Sequence, residues 1–131
     1  MPLEYRKRIS RSMLVNEADT LFVFGDNLLR KGRGGQAAEM RGEPNAVGVP
    51  TKKAPSNAES AFFTDKDFDE AVTAIEGDLK RIAGHLKAGG IVVWPSNGIG
   101  TGFADLPRRA PKIWQYLEER RLNLEAIAAD N

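Results

Sequence analysis

With 131 residues, 41% of them hydrophobic, and a formal net charge of +1, the sequence fits one compact domain over 1–131 whose core needs neither disulfide nor metal. The absence of cysteine excludes a disulfide scaffold, a thiolate zinc site and a thiol nucleophile, and the single histidine, His85, cannot build a metal site alone. A balance this close to neutral argues against a protein that coats nucleic acid, and no apolar run approaches the roughly 20 residues that cross a bilayer. The expectation is a soluble, cytoplasmic protein with no membrane partner and no cofactor.

Residues 1–19, including "MPLEYRKRIS", carry basic residues with no apolar run behind them and give no clear element. The first strand is expected at 20–24, "TLFVF", which is β-branched and aromatic and ends at Gly25. A glycine-rich loop, "RKGRGG", follows, and "GGQAAEMR" at 34–41 has the helix formers to continue it as a helix. "AVGVPT" at 46–51 reads as a short strand stopped by Pro50, and 53–66 as an ordered loop around Phe62 and Phe63. Phe68, Val72, Ile75, Leu79, Ile82 and Leu86 recur every three or four residues behind Asp67 and Glu70, which predicts a long amphipathic helix with a capping-box start. His85 then reads as an ordinary helix histidine. "IVVWP" at 91–95 is a strand buried on both faces, "SNGIGTGFADL" is a second glycine loop, and Leu106, Ala110, Ile113, Trp114 and Leu117 mark a last helix. Strand, loop and helix repeated in this way define an α/β protein with a mostly parallel or mixed sheet and helices on both faces.

Both glycine loops leave the carboxyl end of a strand and run toward a helix, which is where ligands sit in open α/β sheets. Glycine lets backbone N–H groups approach an anion directly, so Gly32, Gly34, Gly35 and Gln36 on one side and Asn97, Gly98, Ile99, Gly100, Thr101 and Gly102 on the other form a candidate pyrophosphate cradle. Arg30 or Arg33 would add charge. The alternative is that the glycines only make tight turns. Neither loop is a Walker A motif, since no Gly-Lys-Ser/Thr follows, and neither completes a dinucleotide fingerprint.

The order of these pieces, "VFGDN", "GRGGQAAEMR", "VGVPTKK", a long helix, "IVVWPSNGIGTG" and "LPRRAPKIWQYL", resembles the macrodomains over residues 20 to about 121. It is most similar to the branch holding the DNA ADP-ribosyl glycohydrolases and the terminal ADP-ribose protein glycohydrolases. The resemblance implies a three-layer macrodomain-like fold, ADP-ribose or an ADP-ribosylated nucleic acid or protein as ligand, and hydrolysis of the glycosidic bond. It puts the catalytic lysine at Lys52, after Thr51, and a ribose-binding asparagine at Asn27, with Asp26, Pro95 and Phe103 among the ligand contacts.

Chemically, C1 of the distal ribose is an acetal-like carbon that a desolvated lysine amine can attack once the ring opens, while a charged lysine can instead assist the departing group. Two departures from the family pattern stand out. No opening strand with an adenine-reading aspartate is visible before residue 20, so adenine is expected to be held loosely, by stacking on Phe103 or Phe63. Gly102 stands where the protein-directed enzymes have aspartate, leaving Asp105 either as a substitute or as a helix N-cap. Two other functions stay open: a binding module for ADP-ribose or a related nucleotide metabolite, and a nucleic-acid accessory protein using "YRKRISR", "RKGR" and "LPRRAPK".

Overall fold

The structure, a computed structural model, describes residues 2–130. Four strands, β1 (Leu3–Arg6), β2 (Leu21–Asn27), β3 (Ala46–Lys52) and β4 (Val92–Pro95), form one parallel sheet in the order β1-β4-β2-β3. Five helices connect and cover it: α1 (Arg11–Asn16), α2 (Ala37–Met40), α3 (Phe68–Lys87), α4 (Leu106–Arg109) and α5 (Pro111–Ala129). The fold is three-layered α/β, as the strand-loop-helix repetition predicts. Among the described residues no helix is long and apolar enough to cross a membrane.

The two-residue alternation of the central strands explains the layers. Leu21, Val23, Val92 and Trp94 face α3 and α5, joining Ile75, Leu79, Ile82, Leu86, Ile113 and Leu117 in the larger core. Phe22, Phe24 and Val93 point the other way, against Leu14 of α1 and Ala37 and Met40 of α2. The connection after β2 therefore lies on one face and the connection after β4 on the other. Because these two strands are neighbours, the chain parts at their carboxyl ends and opens a crevice there, the topological switch point of an α/β sheet.

Several expected boundaries shift, each for a physical reason. The segment before residue 20 does form structure: β1 pairs with β4 and α1 packs beneath the sheet. Strand β2 runs on past Gly25 to Asn27. Pro50 lies inside β3 instead of ending it, which an edge strand tolerates because proline's missing N–H removes no ladder bond on the open side. The capping box belongs to Thr64 and Asp67, one turn before α3, and not to Asp67 and Glu70. Phe63 is 1% exposed and part of the core. The last helix is two, broken at Ala110 because a residue before proline avoids the helical region, and Pro111 then opens α5.

Candidate functional site: a glycine-walled cleft

The crevice is a cleft of about 610 Å³, within the size range of ligand pockets. Its walls come from both glycine loops, and its floor from the ends of β2 and β3. Asp26, Asn27, Gly32, Gly34, Gly35, Gln36, Thr51, Lys52, Asn97, Gly98, Gly100, Thr101, Gly102 and Phe103 all line it. Three expected residues do not. Ile99 is buried in the core, Pro95 lines a smaller pocket beside Tyr5 and Trp114, and Arg30 turns away to bind the Gly48 carbonyl and Asp78. The cations that do line the cleft are Lys31, Arg33, Arg41 and Lys52.

The glycines serve more than one purpose. Gly32, Gly35, Gly98 and Gly100 have φ of 93°, 57°, 83° and 80°, the left-handed region that side chains disfavour. At Gly32 an added Cβ would also lie 2.9 Å from Pro55, so this glycine lets the first loop close against the 53–58 segment. Among the described residues, the backbone N–H groups of 33–36 and of 100–104 donate to no other backbone group. Both runs belong to residues that line the cleft, so their N–H groups are candidate donors to an anion bound there.

Beneath the first loop lies an ion-paired bracket. The Asp26 carboxylate, which lines the cleft, accepts through Oδ1 from Arg41 at 2.5 Å and from the Asn27 N–H at 2.8 Å, so it holds this part of the structure together. Arg41 also donates to the carbonyls of Gly32 at 2.6 Å and Lys31 at 3.1 Å, tying the loop to the end of β2. Nothing in the sequence singles out Arg41, because its partner is a buried acid on a separate segment. A Cβ on Gly48 would meet the Asp26 carboxylate at 2.3 Å. Gly48→Ala is therefore expected to displace the bracket and cost about 3 kcal/mol of stability, read by urea unfolding.

Asn27 and Lys52 are paired in register across β2 and β3, which sets them side by side at the carboxyl edge of the sheet. The Asn27 Nδ2 donates to the Lys31 carbonyl at 2.8 Å, while its buried Oδ1 has no partner among the described residues. Asn27 lines the cleft floor, and its buried amide oxygen is left without a protein donor. The Lys52 amine donates to the Ser56 carbonyl at 2.8 Å and lies 4.5 Å from the Phe62 ring centre. Burial, and after it the positive charge of Arg109, pull this amine below the ordinary lysine range. Lys53 points elsewhere, to Asp67 at 3.2 Å.

Around the rim, Phe103 is 79% exposed and Phe63 is buried, so of the two rings expected to stack on adenine only Phe103 reaches solvent. Asp105 has φ of 48° and precedes α4, but its carboxylate pairs with Arg108 and caps nothing. It is not among the residues lining the cleft. Half of the residues in the basic runs are in internal pairs: Arg6 with Glu4 and Glu17, Arg11 with Glu43, Arg30 with Asp78, Arg108 with Asp105, and Arg109 with Glu59.

Fold and site together define a parallel α/β protein with a glycine-walled, cation-lined cleft at the switch point of its sheet. The chain belongs to the family of unknown function DUF7831, whose model matches residues 4–120. No curated protein and no solved structure matches it.

Proposed function

We propose that the cleft binds ADP-ribose and that the protein is a macrodomain-like ADP-ribosyl glycohydrolase acting on ADP-ribosylated nucleic acid or protein. The observation that carries this reading is the pairing of Asn27, which keeps an unpartnered buried acceptor, with Lys52, whose amine is held below the ordinary lysine range, at the sheet edge between two cleft-lining glycine loops whose backbone N–H groups bond no other backbone group. The N–H groups and Arg33 take the pyrophosphate, and Asn27 Oδ1 takes a hydroxyl of the distal ribose. The acceptor leaves C1 with the bonding electron pair as the ring oxygen donates into the vacated position, and the acceptor picks up a proton. The neutral Lys52 amine then adds to C1; of the two protons on its nitrogen, one is that taken up by the acceptor and the other passes to the ring oxygen as the C1–O bond opens to an imine. Water hydrolyses the imine, returning Lys52 and free ADP-ribose with one water consumed.

The test is incubation of the protein with an ADP-ribosylated oligonucleotide and an ADP-ribosylated peptide, with released ADP-ribose measured and borohydride added to trap the imine. Release together with a permanent mass increase on Lys52 is expected. Binding of ADP-ribose with neither release nor trapping would replace the enzyme by a binding module. One contact favours that second reading: the Lys52 amine is already committed to the Ser56 carbonyl and must leave it to react. The nucleic-acid accessory reading has less support, because half of its basic residues are paired with acids of this same chain.

A further inference from the structure

Lys52 shares its aromatic neighbour with a second cation. The Arg109 guanidinium of α4 lies 3.7 Å from the centre of the Phe62 ring, the same ring the Lys52 amine approaches to 4.5 Å. Glu59 holds Arg109 there through two bonds, 2.8 Å to Nη1 and 3.3 Å to Nη2. Phe62 is itself fixed to Lys52 by an antiparallel bridge, and the Lys53 N–H donates to the Ala61 carbonyl at 2.8 Å. The 53–62 segment is thus clasped at its base by backbone bonds and from outside by α4, the helix that follows the second glycine loop. The ring attracts both cations and Glu59 offsets the charge of Arg109, while the two cations repel one another, so the charge of Arg109 is felt at the Lys52 amine.

We propose that Arg109 is a positioning residue for Lys52: seated on Phe62 and held by Glu59, it fixes the place of the amine and sets the charge field around it. The inference rests on reading Lys52 as the reacting amine, but its test reads Lys52 itself. The other charged groups nearby do not substitute for Arg109. Arg108 of α4 pairs with Asp105, Lys53 faces Asp67, and Asp26 at the cleft floor is taken by Arg41. Burial first, and then the positive charge of Arg109, hold the Lys52 amine below the ordinary lysine range, in agreement with this geometry.

The experiment is a pH titration of the unliganded protein after reductive methylation with carbon-13 formaldehyde, the Lys52 resonance being assigned from Lys52→Arg. Arg109→Met keeps an apolar stem over Phe62 and removes the charge, whereas Arg109→Lys keeps the charge. The expected result is an upward move of the Lys52 titration in Arg109→Met and a near wild-type titration in Arg109→Lys. A Lys52 titration unchanged in Arg109→Met, or moved equally in both variants, would overturn the proposal, the second outcome reducing Arg109 to packing. Should Arg109→Met not fold, wild-type protein decides the matter. Raising salt from about 10 mM to about 1 M shortens the screening length from about 30 Å to about 3 Å, and the Lys52 titration should move up. No movement with salt would overturn the proposal. Wild-type protein that releases no ADP-ribose would sink the glycohydrolase reading and leave this result standing.

Discussion

Lys52→Ala is expected to abolish release of ADP-ribose from a modified oligonucleotide or peptide while leaving affinity for free ADP-ribose within about tenfold. On the proposed reading Lys52, paired with Asn27 across the sheet edge, would act at the reacting carbon while backbone groups of the glycine loops hold the pyrophosphate, so losing its amine should remove chemistry more than ground-state binding. Lys53→Ala is the internal control. Its amine faces Asp67 with the side chain about one-third exposed, so its removal should cost no more than about 1 kcal/mol of stability and leave the rate unchanged. The pH dependence has a definite sign. Lys52 is held below the ordinary lysine range, so the neutral amine accumulates as pH rises toward that depressed value, and the rate should climb along a limb that lies below where a solvated lysine titrates. Stability moves the same way. The unfolded chain retains the proton to higher pH than the folded one, so Lys52's contribution opposes folding below its folded pKa and is relieved as pH rises through it toward the unfolded value.

Gly35→Val is expected to weaken ADP-ribose binding by at least about a hundredfold, roughly 2.7 kcal/mol, with the fold intact by circular dichroism. Gly35 sits at φ 57° in an exposed loop, and an added Cβ meets nothing within 4 Å. The damage therefore comes from the backbone: a β-branched residue leaves the left-handed region, and the N–H groups of 33–36 turn out of the cleft. Gly100→Val would weaken binding too, but it is the less clean variant. There a Cβ would lie 3.1 Å from both Thr51 and Leu106, so core packing fails along with the loop. Binding by Gly35→Val equal to wild type would return the first loop to a simple turn.

Much of this architecture was legible in the sequence because burial imposes short-range patterns. The short apolar runs of β2 and β4, buried on both faces, and the three-and-four spacing in α3 are direct consequences of which faces reach the core, and each marks its element in the sequence. Strand β1 escaped because "LEYR" at the sheet edge buries only Leu3, leaving no pattern to detect. The break between α4 and α5 was signalled by Pro111, and the apolar spacing across it masked that signal. In the site, the glycine loops and the Asn27 and Lys52 positions could be placed from motif order. The Asp26–Arg41 bracket and the Arg109, Phe62 and Glu59 cluster could not, since each joins segments whose approach only the folded chain defines. Arg30 shows the converse: adjacent in sequence to the glycine loop, it adopts φ of 57° and leaves the cleft for α3.

Calorimetric titration of the wild-type protein and of Asn27→Ala with ADP-ribose, AMP and ribose 5-phosphate tests the central claim most directly, because it asks whether this cleft takes this ligand before any chemistry is invoked. The account predicts one site per chain for ADP-ribose, weaker binding of the two fragments because each lacks half of the contacts, and at least a tenfold loss, about 1.4 kcal/mol, in Asn27→Ala, whose buried Oδ1 no longer meets the ribose. No heat with ADP-ribose at millimolar concentration, or binding that is indifferent to Asn27→Ala and matched by AMP alone, would contradict it.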